Sequence, residues 1–298
     1  MDRREILLGL GGIAALAAID PPLAWAQKNA QFGGRVFAET IRRIEQRSRG
    51  RLGVAILDTH SGARFAQRGD ERFPMCSTFK FLLSSAVLHG ADQGRLRMDA
   101  TLPVRRSDIV SHSPVTSRHV GARMTLAQLC HATMTESDNG AANLLLTQVA
   151  GPAGVTRFVR AIGDGTTRLD RIEPILNEAS PGDPRDTTTP LAMLHSLNAL
   201  TLGRVLRPAS RQTLIGWMIA NRTGDTRLRA GLPAGWRAAD KTGAGAHGSN
   251  NDIGLLWPRG RRPVLVTSYL TESRADDATL AATHAEVARA IVAVVARG

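Results

Sequence analysis

Strand-like sequence is confined to the two ends of this chain, and the long stretch between them reads almost entirely as helix. Residues 52–58 and 63–67, separated by a turn at 59–62, predict a β-hairpin. Residues 237–244, 252–257 and 264–270 predict three further strands. A sheet made from these five segments must join the two ends, so the intervening chain has to leave the sheet and return to it. Helical periodicity at 35–49 and 276–297 supplies flanking layers. Between them lie helical segments at 77–90, 125–134, 141–149, 153–162, 190–201 and 208–220. Two of these carry start signals: Thr125 with Gln128 three residues on, and Pro190 directly after Thr189. The expected fold is α/β plus all-α, a five-stranded antiparallel sheet flanked by terminal helices with a helical domain inserted. The α/β domain is then discontinuous, 27–75 and 220–298, and the all-helical domain is 76–219. One segment, 168–186, fits neither period. It mixes Asp170, Arg171, Glu173, Glu178, Asp183, Arg185 and Asp186 with three prolines. A stretch this long without regular structure inside a compact unit is characteristically functional, and its charges can tie it closed.

The N-terminus has the layout of an export leader. Asp2-Arg3-Arg4-Glu5 precedes an uncharged run from Ile6 to Ile19, and Ala24-Trp25-Ala26 offers small residues at the positions signal peptidase reads. That run is shorter than the roughly 20 residues a membrane-spanning helix needs, so the expectation is a leader at 1–26 that is removed, with no stable membrane anchor left. Arg3-Arg4 points to twin-arginine export, with a Sec leader as the plainer alternative. The expected location is the bacterial periplasm. Removing the leader takes away two arginines and three acids, which raises the formal charge from +12 to +13.

With 43% hydrophobic and 21% charged residues, composition excludes disordered and collagen-like chains. The positive charge raises the possibility of a protein that binds anionic surfaces or nucleic acid, and Arg42-Arg43 and Arg259 to Arg262 are its clusters. No nucleic-acid motif accompanies them, so no nucleic-acid partner is expected. Of the 38 basic residues only Lys28, Lys80 and Lys241 are lysines. The eight histidines form no H-x-H or H-E-x-x-H spacing, so neither a metal nor a cofactor is expected. A G-x-S-x-G elbow is also missing, which disfavours an α/β-hydrolase. Cys76 and Cys130 could pair in an exported protein, but Cys76 lies in an apolar stretch where a free buried thiol is the commoner state.

Three short motifs remain. In Ser77-Thr78-Phe79-Lys80, at the start of an apolar helix, the i, i+3 spacing places Lys80 one turn from the Ser77 hydroxyl. The helix N-terminus offers free N–H groups to an oxyanion, and the apolar surroundings lower the lysine pKa towards a basic amine. Ser137-Asp138-Asn139 offers a second hydroxyl and an amide at a helix junction, although alone it reads as a cap. Lys241-Thr242-Gly243, on a strand leading to Ala244, can hold a carboxylate while its backbone pairs with a substrate amide.

In this order and spacing, S-x-x-K, S-D-N and K-T-G resemble the signature of serine β-lactamases and penicillin-binding proteins. Arg168 to Asn177 resembles the omega loop of the class A β-lactamases, with Glu173 and Asn177 matching the deacylating glutamate and its asparagine. Arg171 and Asp186 match the ion pair that closes that loop, and the resemblance implies a cis Glu173–Pro174 bond. It implies a β-lactamase/transpeptidase-like fold and hydrolysis of penicillins and cephalosporins by a monomer acting on a small β-lactam. Ser77 is then the nucleophile, and Lys80 or Glu173 the base. Ser77 and Ala244 N–H groups form the oxyanion hole, Ser137 is the proton donor to the ring nitrogen, Asn139 holds the substrate amide, and Thr242 with Lys241 holds its carboxylate. A D-Ala-D-Ala peptidase of the same superfamily is the enzymatic rival, separated by turnover of the acyl-enzyme. Three departures stand out. The arginine that many members carry on the strand after K-T-G is replaced by Asn250 or Asn251, and Arg227 matches the alternative source of that guanidinium. His112 occupies a gatekeeper position that is commonly aromatic. The partner positions of two family disulfides hold Ser84 and Gly245, so both thiols are expected to be free.

Overall fold

The computed structural model describes residues 31–297, and the expected leader at 1–26 lies outside them. Helix α1 (Gly34–Ser48) turns Phe37, Ile41 and Ile44 inward at three- and four-residue steps, and ends where Arg49 takes a left-handed φ of 53°. Strands β1 (Arg51–Asp58) and β2 (Arg64–Gln67) form the expected hairpin, with Val54 opposite Gln67. β3 (Phe73–Pro74), a 3-10 turn at Cys76–Thr78 and helix α2 (Phe79–Asp92) lead away from the sheet.

The helical stretch contains β4 (Thr101–Pro103), β5 (Arg123–Thr125), α3 (Leu126–Thr135), α4 (Asn139–Leu146) and α5 (Gly151–Ala161). After the long loop come β6 (Thr187–Thr188), α6 (Pro190–Thr201) and α7 (Pro208–Ile219). The start signals act as the sequence implies. Thr125 and Gln128 form a reciprocal capping box, and the Thr189 hydroxyl accepts from Ala192 N with Pro190 in the first turn. The chain then returns as β7 (Arg237–Gly245), β8 (Ser249–Trp257), β9 (Val264–Thr271) and α8 (Asp277–Val295).

The five main strands form one antiparallel sheet in the order β2-β1-β9-β8-β7, the architecture expected from the two ends of the chain. β9 is buried along its whole length because both faces are covered. Its residues alternate between two cores, as strand geometry requires. Val264, Val266 and Leu270 meet α1 and α8, whereas Leu265 and Tyr269 meet the helical stretch. Each fully buried leucine or isoleucine on these faces contributes about 1.5–3 kcal/mol. Helix α8 is long and apolar enough to cross a membrane by length and hydropathy, and half of it is buried on the sheet.

Several boundaries differ from expectation for local reasons. Strand β8 begins at Ser249 rather than 252, because Asn250 and Asn251 are taken into the ladder opposite Ala244 and Gly243. The helix expected from 77 opens with the 3-10 turn, and the one expected from 141 begins at Asn139 because the Asp138 carboxylate caps Ala141 N. The pairs β3–β6 and β4–β5, only two and three residues long, have no periodic signal to read.

Candidate active site

The Ser77 turn is held from both sides. Met75 N donates to Asp186 O at 2.9 Å, Cys76 takes a positive φ of 45°, and β7 presses against the turn. A Cβ on Gly243 would lie 2.8 Å from Met75 O and 3.2 Å from Ser77 N, so the contact needs a residue without a side chain. Gly245 is equally tight, its hypothetical Cβ lying 2.7 Å from Cys76 Sγ and 2.8 Å from Asn177 O. β7 is an edge strand, so one side of its backbone near Ala244 is free of sheet partners and faces this turn. Backbone N–H groups at the start of a helix likewise have no intrahelical partner.

One helical turn on, Lys80 is fully buried, and its Nζ lies 3.0 Å from Ser77 Oγ. The same Nζ reaches Ser137 O at 2.6 Å, Asn139 Oδ1 at 2.5 Å and Glu173 Oε1 at 3.0 Å. Ser137 Oγ stands between two lysine nitrogens, 3.3 Å from Lys80 Nζ and 3.1 Å from Lys241 Nζ. Burial pushes Lys80 below the ordinary lysine range, with the Glu173 carboxylate acting in the opposite direction. Lys241 is pushed well below that range, first by burial and then by the charges of Lys80 and Arg227.

The Ser137–Asn139 loop is fixed from beneath by Asp138. Its carboxylate accepts from Val115 N, Thr116 N, Thr116 Oγ1 and Ala141 N, each at 2.8–2.9 Å. Asn139 is oriented by donating Nδ2 to Ser111 O at 2.8 Å, and its N–H bonds His112 O at 2.9 Å. His112 is exposed, at φ 57°, with Nε2 2.9 Å from Glu136 O.

Glu173 comes from the long loop and is 1% exposed. Its Oε1 is 3.4 Å from Ser77 Oγ, and its Oε2 accepts from Asn177 Nδ2 at 2.5 Å. Asn177 Oδ1, on the same amide that bonds Glu173, is buried without a partner among the described residues. The Glu173–Pro174 bond is cis. The loop closes on itself through Asp186, which accepts from Asp170 N and Arg171 N and pairs with Arg171 Nε at 2.5 Å. Sequence reasoning missed Asn143. Its side chain donates to Glu173 O at 2.9 Å and accepts from Glu173 N at 3.0 Å, which clamps that residue's backbone to α4. The only local signal of Asn143 is its four-residue spacing from Asn139 on one helix face, which does not point to a loop 30 residues on.

On β7, Lys241 Nζ also donates to Thr242 O at 2.9 Å, and Thr242 Oγ1 bonds Thr223 Oγ1. Ala244 is exposed at the cleft edge. Arg227 is half-buried behind this strand, its Nη1 donating to Gly243 O at 2.9 Å and Asn251 O at 2.6 Å. The N–H groups on its Nε and Nη2 bond nothing among the described residues. Cys76 and Cys130 are both free and buried, and burial pushes each thiol up to about 12. No group of three or more metal-ligating side chains occurs among the described residues.

The structure thus gathers a serine, two lysines, a second serine and a glutamate within bonding distance of one another. A sequence model of the beta-lactamase enzyme family matches residues 36–295. Beta-lactamase L2 of Stenotrophomonas maltophilia is 53% identical over 228 residues, 76% of this chain and 75% of that protein. Beta-lactamase CTX-M-8 of Citrobacter amalonaticus is 46% identical over 234 residues, 78% and 80% of the two chains. Among solved structures, an ancestral (GNCA) class A beta-lactamase superposes with a TM-score of 0.85 at 59% identity, covering 86% of this chain and 99% of that one. A beta lactamase from Xanthomonas campestris gives 0.86 at 50% identity, covering 87% and 97%.

Proposed function

The chain belongs to the beta-lactamase enzyme family, as a class A serine enzyme, and from that membership we propose the residue roles by which it works. It hydrolyses the amide bond of penicillins and cephalosporins through a serine acyl-enzyme, the reaction that confers β-lactam resistance.

Ser77 Oγ attacks the β-lactam carbonyl carbon. Two bases stand within reach of its proton, Lys80 Nζ at 3.0 Å and Glu173 Oε1 at 3.4 Å, the latter also through a water. The depressed pKa of Lys80 supports the first route, and the contact of the Glu173 carboxylate with both Ser77 and Lys80 supports the second. The N–H groups of Ser77 and Ala244 receive the oxyanion, where each such donor typically lowers the barrier by about 3 kcal/mol. Ser137 Oγ, set between Lys80 and Lys241, hands a proton to the departing ring nitrogen. Asn139 holds the substrate's side-chain amide, His112 flanks the cleft entrance, and Lys241, Thr242 and Arg227 hold its carboxylate.

Deacylation then belongs to Glu173 and Asn177. Glu173 Oε2 is fixed by Asn177 Nδ2, and the unpartnered Asn177 Oδ1 beside it provides a second anchor for the hydrolytic water. The observation that carries this reading is the contact of Glu173 Oε1 with both Ser77 Oγ and Lys80 Nζ. A penicillin-binding protein stalls as its acyl-enzyme for want of such a base. Steady-state hydrolysis of a chromogenic cephalosporin tests the assignment. The wild type turns over, and Ser77→Ala abolishes turnover; activity retained in Ser77→Ala would overturn the nucleophile.

We further propose export. The Arg3-Arg4 start, the apolar run and Ala24-Trp25-Ala26 support removal of residues 1–26 and a periplasmic, unanchored monomer, and bacterial relatives of the same activity support the setting. The division into an α/β domain, 27–75 with 220–298, and a helical domain, 76–219, is proposed on the path of the chain, which leaves the five-stranded sheet after β2 and rejoins it at β7.

A further inference from the structure

The catalytic reading leaves the arginines of the β8–β9 turn unused. Trp257, Pro258, Arg259, Gly260, Arg261, Arg262 and Pro263 contain no acid, and the turn meets Arg237 across the sheet, where Arg237 pairs with Trp257. Together they surround a hollow of about 570 Å³. Arg261 is committed, with Nη2 3.0 Å from Asp58 Oδ2 and Nη1 3.2 Å from Val295 O, and so holds the turn in place. Arg237, Arg259 and Arg262 are exposed and have no carboxylate partner among the described residues. A rigid turn with three unpaired guanidinium forks is suited to phosphate oxygens.

We propose that this turn is a docking surface for an anionic phospholipid bilayer. The alternative polyanion is nucleic acid, and the site offers it no stacking platform. The Arg237 guanidinium lies 5.6 Å from the Trp257 ring centroid and covers a face a base would need. Arginine forks without a stacking platform suit the phosphate headgroups of an anionic bilayer instead. The geometry leaves catalysis accessible. β7 runs from Arg237 at this end to Gly245 at the cleft, so Thr242 lies roughly 16 Å away at about 3.3 Å per residue. The positive chain as a whole favours the encounter.

The test is co-sedimentation of the chain from residue 27 onward with vesicles at low salt. Wild type should bind vesicles of phosphatidylglycerol and phosphatidylcholine mixed 3:7 by preference over pure phosphatidylcholine. The triple variant Arg237→Ser, Arg259→Ser, Arg262→Ser should lose about 100-fold in partitioning, from about fivefold for each arginine near the surface. An equal charge change on other faces, Arg42→Ser, Arg157→Ser, Arg204→Ser, should cost less than about fivefold. Unchanged cephalosporin kcat/KM in all variants verifies folding, and Arg259→Glu alone, on the exposed turn, is the milder substitute if the triple variant misfolds. Equal losses in the two triple variants, or no preference for the anionic vesicles, would overturn the proposal. Binding to a duplex DNA oligonucleotide with the same dependence on the three arginines would assign the surface to nucleic acid instead.

Discussion

At Lys80 five oxygen atoms from four residues compete for three N–H donors. That excess keeps Ser77, Ser137 and Glu173 in one network whichever group holds the proton. Much of it was legible, because Ser77 and Lys80 are linked by a local i, i+3 spacing that a one-dimensional reading can resolve. Asn143 was not, because its role depends on where a distant loop lands. The scarcity of lysine also carried information. Two of three lysines sit at buried positions that need a compact ammonium with a tunable pKa, a task arginine cannot perform. Arg227 is the residue whose role most needs a measurement. Its free N–H groups can make charge-assisted bonds with a substrate carboxylate, worth about 1.5–3 kcal/mol. Arg227→Ala should therefore raise KM for a penicillin at least about tenfold and change kcat less than about threefold, because the carboxylate is held equally in ground and transition states. An equal fall in kcat with unchanged KM would show that Arg227 acts only by supporting the β7 backbone.

Among the elements, the loop carrying Glu173 depends on charge closure in place of regular hydrogen bonding. Asp186 is fully buried and satisfies two backbone N–H groups as well as Arg171. Replacing it by alanine strands both N–H groups, while Arg171 keeps Glu178 at 2.5 Å and Asp183 at 3.7 Å. The expected cost is about 3 kcal/mol in urea unfolding, since each buried N–H left without an acceptor costs about 1–3 kcal/mol. The account also predicts that hydrolysis of the acyl-enzyme slows more than acylation does, measured by single-turnover kinetics, because Ser77 and Lys80 sit on α2 and its leading turn while Glu173 sits on the loop. The charges and prolines marked this segment in the sequence as one closed loop. Their pairing was recognisable only through resemblance. What stayed illegible were elements made by tertiary contact: β3 and β6, each two residues long, and the start of β8, where polar Ser249-Asn250-Asn251 carries no strand period and Asn251 Nδ2 donates to Pro74 O and Met75 O.

On the scale of the whole molecule, the first strands and the last meet in one sheet, and that joining was readable because strand signal occurs only at the ends. The buried polar contacts between layers were not. His284 on α8 lies fully buried, Nδ1 2.8 Å from Ser268 Oγ and Nε2 3.1 Å from Asn250 O, and so ties the last helix to the strand beside Ala244. Burial, followed by the Arg227 charge, holds its imidazole down from the usual 6.5 to about 3. Below pH 6.5 the unfolded chain therefore binds a proton that the folded chain refuses. Stability is whole above that pH and is lost towards pH 3 by up to about 1.4 kcal/mol per pH unit from this one group. In urea unfolding between pH 7 and 4.5, His284→Asn should show a correspondingly shallower decline; identical slopes would remove His284 from the account. The central claim, that one glutamate on a closed loop converts a stable acyl-enzyme into a turnover enzyme, is tested most directly by intact-mass measurement of Glu173→Ala after mixing with a cephalosporin. The predicted result is a long-lived adduct on Ser77, with deacylation slowed by about 10³-fold or more while wild type shows none at the same time. A Glu173→Ala protein that turns over without accumulating the adduct would contradict it.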